Sequence, residues 1–167
     1  VYTGETDTTV TTANISTKGM TVGEGAAGIT ATMSKAINST LDITTGSIET
    51  KHASAIGIKI TGTENSSVPS NEEKPSTAIV TTTLGETKGT GVDVTGAANN
   101  TITVNLENSQ NRATTETIDV DGTGVKVTGA ADGTVTVNVD QNNLSVAKGK
   151  ELINIAAVGN IGNADVN

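Results

Sequence analysis

Two carboxylates separated by one residue are the sequence's clearest candidates for metal chemistry. Asp119 and Asp121 flank Val120, and Gly122 follows them. Carboxylate oxygens at this spacing before a glycine can ligate Ca²⁺. The EF-hand calcium loop also needs a glutamate at a fixed distance, and no glutamate stands there. A turn that leads into a strand explains the same residues, so we predict a turn, keep Ca²⁺ as the alternative and expect no other cofactor.

Residues for other kinds of catalysis are poorly represented. A Ser/His/Asp triad would have to use His52, the single histidine, and the chain has no cysteine. The sequence contains no Gly-x-Ser-x-Gly, HExxH or GxxxxGK motif. GEGAAG at residues 23–28 fits the loose Gly-x-Gly-x-x-Gly string but follows no apolar strand. We therefore predict that the protein is not an enzyme and that His52 is a surface or turn residue.

Composition and charge exclude several classes of partner. Net charge is −8 and Arg112 is the single arginine, which argues against binding to nucleic acid or to anionic membranes. The residues contain no long apolar run that would insert into a membrane. The apolar fraction is 34%, Tyr2 is the one aromatic residue, and threonine is the commonest residue, with 32 copies. Threonine and valine favour strands, so the composition predicts a turn-rich β structure.

Two near-copies dominate the second half of the chain, at residues 89–107 and 122–140. They share 13 of 19 aligned positions. In each copy, β-branched residues alternate with polar ones in two short runs, the pattern of strands buried on one face. The runs are joined by residues 96–100 and 129–133, which include Asn-Asn and Asp-Gly pairs that tolerate positive φ. We predict that each copy forms a β-hairpin.

The rest of the chain predicts more of the same architecture, with ten to thirteen strands in all. Ile56, Ile58 and Ile60 alternate with polar or small residues, as in a strand with one apolar face. Apolar residues between positions 29 and 37 fit either a short helix or a strand. Both prolines lie in a polar stretch. We divide the chain into an N-terminal β segment (1–63), an exposed loop or hinge (64–77) and a C-terminal β segment (78–167) that contains the hairpin repeats and a distinct end (151–167).

A core without large aromatic side chains buries little apolar surface. Proteins with such cores tend to need repetition, oligomerisation or bound ions for stability. We therefore predict an all-β fold of short strands and hairpins whose apolar face is completed by neighbouring subunits. A trimeric β-prism or β-roll and a strand-exchanged β-sandwich are the two arrangements considered. Residues 1–17 form either a plain edge strand or an inter-subunit strand that pairs with a neighbour's open sheet edge. Val10 and Ile15 are the apolar residues of that candidate strand.

Three segments resemble the passenger region of trimeric autotransporter adhesins. Residues 89–106 and 122–139 are similar to that family's stretches of the type G-x-G-V-x-V-x-G…x-x-T-V-T-V-x-L. The C-terminal residues resemble the family's neck, in which a strand I-x-N-V-A-x-G leads through a loop to D-A-V-N and a coiled-coil stalk. The neck-like residues are Ile153, Asn154, Ile155, Ala156, Gly159, Asp165, Val166 and Asn167.

The resemblance implies an extracellular module of a cell-surface fibre, trimeric and non-enzymatic, that mediates adhesion to a host or matrix surface molecule. We expect the adhesive contacts in exposed loops such as residues 64–76. The alternative is a pilin-like subunit that assembles into a filament when its terminal strand complements the next subunit's sheet. Deletion of residues 1–12 would separate the two, because it would stop filament growth and leave a parallel trimer intact.

Overall fold

A computed structural model describes residues 2–3, 12–33, 40–61, 77–95, 100–108, 117–128, 134–156 and 163–166. In these ranges the protein has fourteen strands and no helix, which confirms the all-β prediction and resolves residues 27–32 as a strand. The strands are β1 (Tyr2–Thr3), β2 (Thr12–Val22), β3 (Ala27–Thr32), β4 (Thr40–Thr50), β5 (Ile56–Thr61), β6 (Thr77–Thr87), β7 (Thr90–Thr95), β8 (Thr101–Glu107), β9 (Ile118–Val120), β10 (Thr123–Thr128), β11 (Thr134–Asp140), β12 (Leu144–Val146), β13 (Glu151–Ala156) and β14 (Asn163–Val166).

The strands form two sheets in which every described pair is parallel. Sheet A has the order β1-β3-β5-β7-β10-β13. Sheet B contains β12-β9-β6-β8-β11-β14, and β4 joins β2 to β6. The chain runs through sheet B, turns, runs through sheet A and returns, so each circuit makes one rung of a parallel β-solenoid. The five rungs are β2–β3, β4–β5, β6–β7, β8–β10 and β11–β13.

The hairpin prediction is wrong for the described strands. In a hairpin β7 would pair with β8, and β10 with β11, in antiparallel fashion. Instead β7 pairs in parallel with β10, and β8 in parallel with β11. The repeat offset is the length of one rung, because Thr123 lies beside Thr90 and 123 − 90 = 33. Alternation and turn residues are common to hairpins and solenoid rungs, whereas near-identity at a fixed period is specific to stacked repeats.

Stacking in register converts the sequence alternation into columns that run along the solenoid axis. One inward column contains Ile29, Ile58, Val92, Val125 and Ile153. The column beside it contains Ala31, Ile60, Val94, Val127 and Ile155. Corresponding apolar residues of sheet B complete one core, whose members in rungs two and three are fully buried. One chain encloses this core, so these residues are buried without neighbouring subunits; oligomerisation stays a prediction.

A column of glycines lets the two sheets approach closely at one corner. Sheet A contributes Gly28, Gly57, Gly91 and Gly124, which occupy equivalent positions in successive rungs. A Cβ atom at these positions would meet large side chains of sheet B, among them Met20, Ile48 and Leu84. It would also meet a carbonyl oxygen of the neighbouring rung. Glycine therefore stands here because the space that a side chain needs is already filled.

In sheet B, β6 pairs with two different strands along one edge, and a side chain fills the gap between them. The early residues of β6 pair with β8, whereas Thr87 at its end pairs with Val120 of β9. Residues 108–117 separate β8 from β9, so on this edge of β6 no described strand pairs with Leu84, whereas Ile48 of β4 pairs with it on the other edge. Gln141, only 6% exposed, fills this place: Leu84 N donates to its Oε1 (2.8 Å), and its Nε2 donates to Leu84 O (2.7 Å).

Both sheets run continuously past residues 62–76. β4 pairs with β6, and β5 pairs with β7, so strands on either side of this connection belong to the same stack. This pairing favours an excursion from one continuous β structure over a hinge. Residues 64–76, the predicted adhesive loop, lie outside the described residues.

A shorter connection should replace residues 62–76 without loss of the fold. Residues 96–100 and 129–133 make the same passage from sheet A to sheet B with five residues. Replacement of 62–76 by a five-residue Gly-Ser linker should therefore leave the circular dichroism spectrum unchanged. Loop-closure entropy should raise stability to urea by up to about 1 kcal/mol. A variant that fails to fold would show that the replaced residues are structural.

Candidate interaction surfaces

The outward faces of the sheets present polar side chains in columns. Sheet B carries a threonine at the same register position in five consecutive rungs: Thr12, Thr40, Thr77, Thr101 and Thr134. Sheet A carries a column of alternating charge that contains Lys59, Asp93 and Lys126. Opposite charges directly across neighbouring strands stabilise a sheet. On the outer faces, identical polar residues or residues of opposite charge therefore lie beside one another on neighbouring rungs.

An amide ladder continues this pattern on sheet B. Asn138 Nδ2 donates to Asn105 Oδ1 (2.8 Å), and Asn105 Nδ2 donates to Thr81 Oγ1 (3.4 Å). These bonds join three successive rungs along the axis. The ladder forms because residues 105 and 138 are equivalent positions of the 33-residue repeat. These side-chain hydrogen bonds stabilise the stacking of neighbouring rungs.

Charged side chains cluster at the corner where sheet B turns into sheet A. Lys51 Nζ lies 2.9 Å from Glu49 Oε2 and 2.7 Å from Glu86 Oε2, and Lys88 Nζ lies 3.1 Å from Glu86 Oε1. The hydrogen bond from Lys51, with a smaller contribution from Lys88, lowers the pKa of Glu86 below 4.5. The hydrogen bonds to Glu86 and Glu49 raise the pKa of Lys51 above 10.5. All four side chains are substantially exposed, so water and salt screen the pairs.

Glu86→Gln should lower stability slightly and only over a defined range of pH. The contribution of Glu86 is present above its unfolded-state pKa and is lost as the pH falls through its lowered folded-state pKa. The contribution of Lys51 is present below its unfolded-state pKa and is lost as the pH rises through its raised folded-state pKa. Melting curves of wild type and variant should therefore differ near neutral pH and converge in acid and in high salt. Glu107→Gln, exposed at the end of β8, is the control; equal shifts in both variants would contradict the prediction.

His52 lies in the exposed turn between β4 and β5, as predicted. Its Nδ1 lies 3.0 Å from Ser54 Oγ, which accepts a hydrogen bond from Gly25 N (2.9 Å). Its Nε2 lies 3.8 Å from Glu24 Oε1, and the side chains of His52 and Glu24 are 49% and 78% exposed. These contacts tie the turns of the first two rungs together. The Ser54 hydroxyl already accepts a hydrogen bond from the neighbouring turn, so the contacts of His52 and Ser54 link two turns.

The calcium hypothesis stays a prediction. Asp119 lies on β9 and Asp121 in the turn that follows it, and both residues are exposed. Within the part of the chain that the structure describes, no group of three or more His, Cys, Asp or Glu residues is placed to hold a metal ion. Melting curves in Ca²⁺ and in EDTA test the hypothesis. Identical melting curves in Ca²⁺ and in EDTA would contradict the calcium hypothesis.

The remaining predicted site residues fall on the first and last strands. Ile15 lies on β2, half-buried against the core, whereas Val10 lies outside the described residues. The neck-like residues Ile153 to Ala156 lie on β13, which pairs with β10. Asp165 and Val166 lie on β14, which pairs with β11. Gly159 and Asn167 lie outside the described residues.

Sequence reasoning missed the exposed apolar side chains on two strands near the end of the described residues. Ile155 of β13 and Val146 of β12 are each 39% exposed, although both continue columns that are buried in rungs two to four. Each of these strands has a described partner on one edge only. The missed signal was the repeat period, which would have identified residues 144–156 as a further member of the series of stacked rungs.

Comparisons with protein-family profiles, with curated proteins and with solved structures return no match. In the described ranges, no helix is long and apolar enough to cross a membrane. The class to which the chain is assigned, a parallel β-solenoid, therefore rests on its own strand pairing.

Proposed function

We propose that the chain is a non-enzymatic structural module of an extracellular, cell-surface fibre that mediates adhesion. One observation carries the proposal: five rungs stack in register, with apolar columns inside and polar columns outside. Neighbouring parallel strands are about 4.8 Å apart, so the stack forms a rod segment about 24 Å long. Hydrogen bonds between rungs run along the rod, the direction in which a fibre carries load.

The surface chemistry fits display better than catalysis. The charged cluster of Glu49, Lys51, Glu86 and Lys88 is open to water and internally paired. The amide ladder of Asn105 and Asn138 is also internally paired. In every described rung the chain passes from sheet A back to sheet B at the same edge of the rod. The connection 62–76 joins the end of β5 to the start of β6 at that edge, and such connections are where binding residues concentrate.

An attachment assay under flow tests the adhesive role. Beads coated with the purified chain should attach to immobilised host cells or extracellular matrix. Beads coated with the Gly-Ser variant of residues 62–76 should attach at least tenfold less at equal coating density. The variant is a matched control because its rungs are retained. If wild-type beads attach no better than beads coated with an inert protein, adhesion is excluded.

A second candidate is a subunit that self-assembles into a filament. The observation that favours it is the strand with one free edge at each end of the stack, β2 at one end and β14 at the other, among the described strands. Exposed edges of parallel sheet are templates for strand addition. Electron microscopy of concentrated protein distinguishes filaments from isolated particles.

A further inference from the structure

The outward face of sheet B is almost free of charge. The first five residues of β4, β6, β8 and β11 place three side chains each on this face, and eight of these twelve are threonine. The threonines are Thr40, Thr44, Thr77, Thr81, Thr101, Thr103, Thr134 and Thr136. Asp42 is the single charged residue among the twelve. We call these twelve positions the threonine face. Sheet A differs, because its outward column contains Lys59, Asp93 and Lys126.

On β8 and β11 the threonines form a lattice that repeats in two directions. Thr101 and Thr103 lie two residues apart on β8, and Thr134 and Thr136 lie beside them on β11. Neighbouring strands are about 4.8 Å apart, and alternate residues along a strand are about 6.6 Å apart. The pairing of β8 with β6 and with β11 contains no register shift, so the columns stay aligned from rung to rung. Hydroxyl groups therefore recur at two fixed spacings on this face.

The hydroxyls of this lattice are available to bind a ligand. Among the described residues, the side-chain hydrogen bonds on this face join Thr81, Asn105 and Asn138. None engages the hydroxyls of the four threonines on β8 and β11. Each of those side chains is half-buried between its neighbours, and a β-branched side chain has a restricted χ1 angle. The face therefore presents hydroxyl and methyl groups in a fixed arrangement before any ligand binds.

We propose that the threonine face binds ice. A surface that repeats in two directions fits a crystal, whereas the surface of a soluble protein partner has no such repeat. The prism planes of hexagonal ice present water molecules in a rectangular lattice whose two repeats are close to the two spacings of the face. Threonine hydroxyls take the places of lattice waters, and the methyl groups between them restrict the orientation of the remaining waters.

The charge and the rigidity of the face support the same ligand. An ion loses its hydration when it is pressed against ice, which does not dissolve ions, so a charged face would bind poorly. A face that is ordered beforehand loses little conformational entropy on binding. The inference goes beyond the proposed adhesive role, because adhesion is assigned to residues 62–76 and ice binding to the face of sheet B. Failure of either assay therefore leaves the other independent.

Partition of the purified chain into slowly growing polycrystalline ice tests the proposal. Wild type should be enriched in the ice fraction relative to an inert protein, and single ice crystals grown in its presence should become faceted. Thr103→Lys places an ammonium group in the middle column of the face, and the cost of removing its water should lower the enrichment at least about fivefold. Thr61→Lys makes the same charge change on sheet A and should keep wild-type enrichment. Circular dichroism checks that both variants fold.

Thr103→Ser provides a second variant if Thr103→Lys does not fold. It removes one methyl group, keeps the hydroxyl, and should also be enriched less than wild type. Wild type that stays in the liquid and leaves ice crystals unfaceted overturns the proposal. Equal loss in Thr61→Lys and Thr103→Lys overturns it as well, because the effect would then come from charge and not from the face. Binding to crystalline chitin or cellulose without binding to ice overturns it in favour of a polysaccharide surface.

Discussion

Gly91→Ala should lower the free energy of unfolding by about 2 kcal/mol, within the range known for overpacked cores. Gly91 lies in the central rung, in the glycine column of sheet A. A Cβ atom there would lie 2.5 Å from Leu84 Cδ2 and 2.7 Å from Gly124 O. Leu84 is fully buried, and the carbonyl belongs to the next rung. The methyl group can fit only if the two sheets or the two rungs move apart, and urea unfolding measures that cost.

Gly23→Ala is the matched control for this prediction. Gly23 lies in the turn between β2 and β3, and a Cβ atom there would meet nothing within 4 Å. The free energy of unfolding of the Gly23→Ala variant should equal that of wild type or exceed it by up to about 1 kcal/mol, because alanine restricts the unfolded chain. Equal stability of the Gly91 and Gly23 variants would contradict close packing at the glycine column. The double variant Gly91→Ala with Leu84→Ala should be less destabilised than the sum of the two single changes.

Gln141→Ala should cost about 3 kcal/mol, because it removes the partner of both main-chain groups of Leu84. A buried donor or acceptor left unsatisfied costs about 1–3 kcal/mol. Gln141 supplies one acceptor and one donor, at 2.8 Å and 2.7 Å, on an edge of β6 where no described strand pairs with Leu84. Hydrogen exchange at the Leu84 amide should accelerate at the same time. Asn142→Ala changes an exposed neighbour and should stay within about 0.5 kcal/mol of wild type.

Gln141→Glu separates the two hydrogen bonds. An ionised carboxylate still accepts from Leu84 N but cannot donate to Leu84 O, and burial raises its pKa. A raised folded-state pKa contributes stability below the unfolded-state pKa, and that contribution is lost as the pH rises. The variant should therefore approach wild-type stability in acid and fall well below it at neutral pH. A difference from wild type that is independent of pH would show that Gln141 does not bridge Leu84.

Much of the local structure could be predicted from the sequence. Alternation of Ile56, Ile58 and Ile60 identified a strand and its buried face, because side chains on a strand alternate with period two. A composition rich in threonine and valine predicted the all-β fold. The exposed position of His52 was also predicted, because a lone histidine without a cysteine or second histidine nearby is usually a surface or turn residue.

Strand pairing could not be predicted in the same way. Val92 and Ile102 lie on strands that look like partners, yet Val92 pairs with Val125, and Ile102 with Val135. Local alternation specifies which face is buried but not which strand lies next to it, since pairing depends on distant residues. The hairpin prediction also favoured a core completed by neighbouring subunits, and that oligomerisation stays a prediction. A lone hairpin has one uncovered apolar face, whereas a stacked rung encloses its own interior.

The sequence by itself determined the strands, their inward residues and the 33-residue spacing of the two central repeats, because these depend on side-chain size and backbone preference at each position. Only the tertiary structure decided that equivalent residues stack, that the glycines form a close-packed column and that Gln141 takes the place of a missing strand. The physical reason is that each of these features joins residues from different rungs. Leu84 and Gln141 lie 57 positions apart and meet only because the intervening chain completes its circuits.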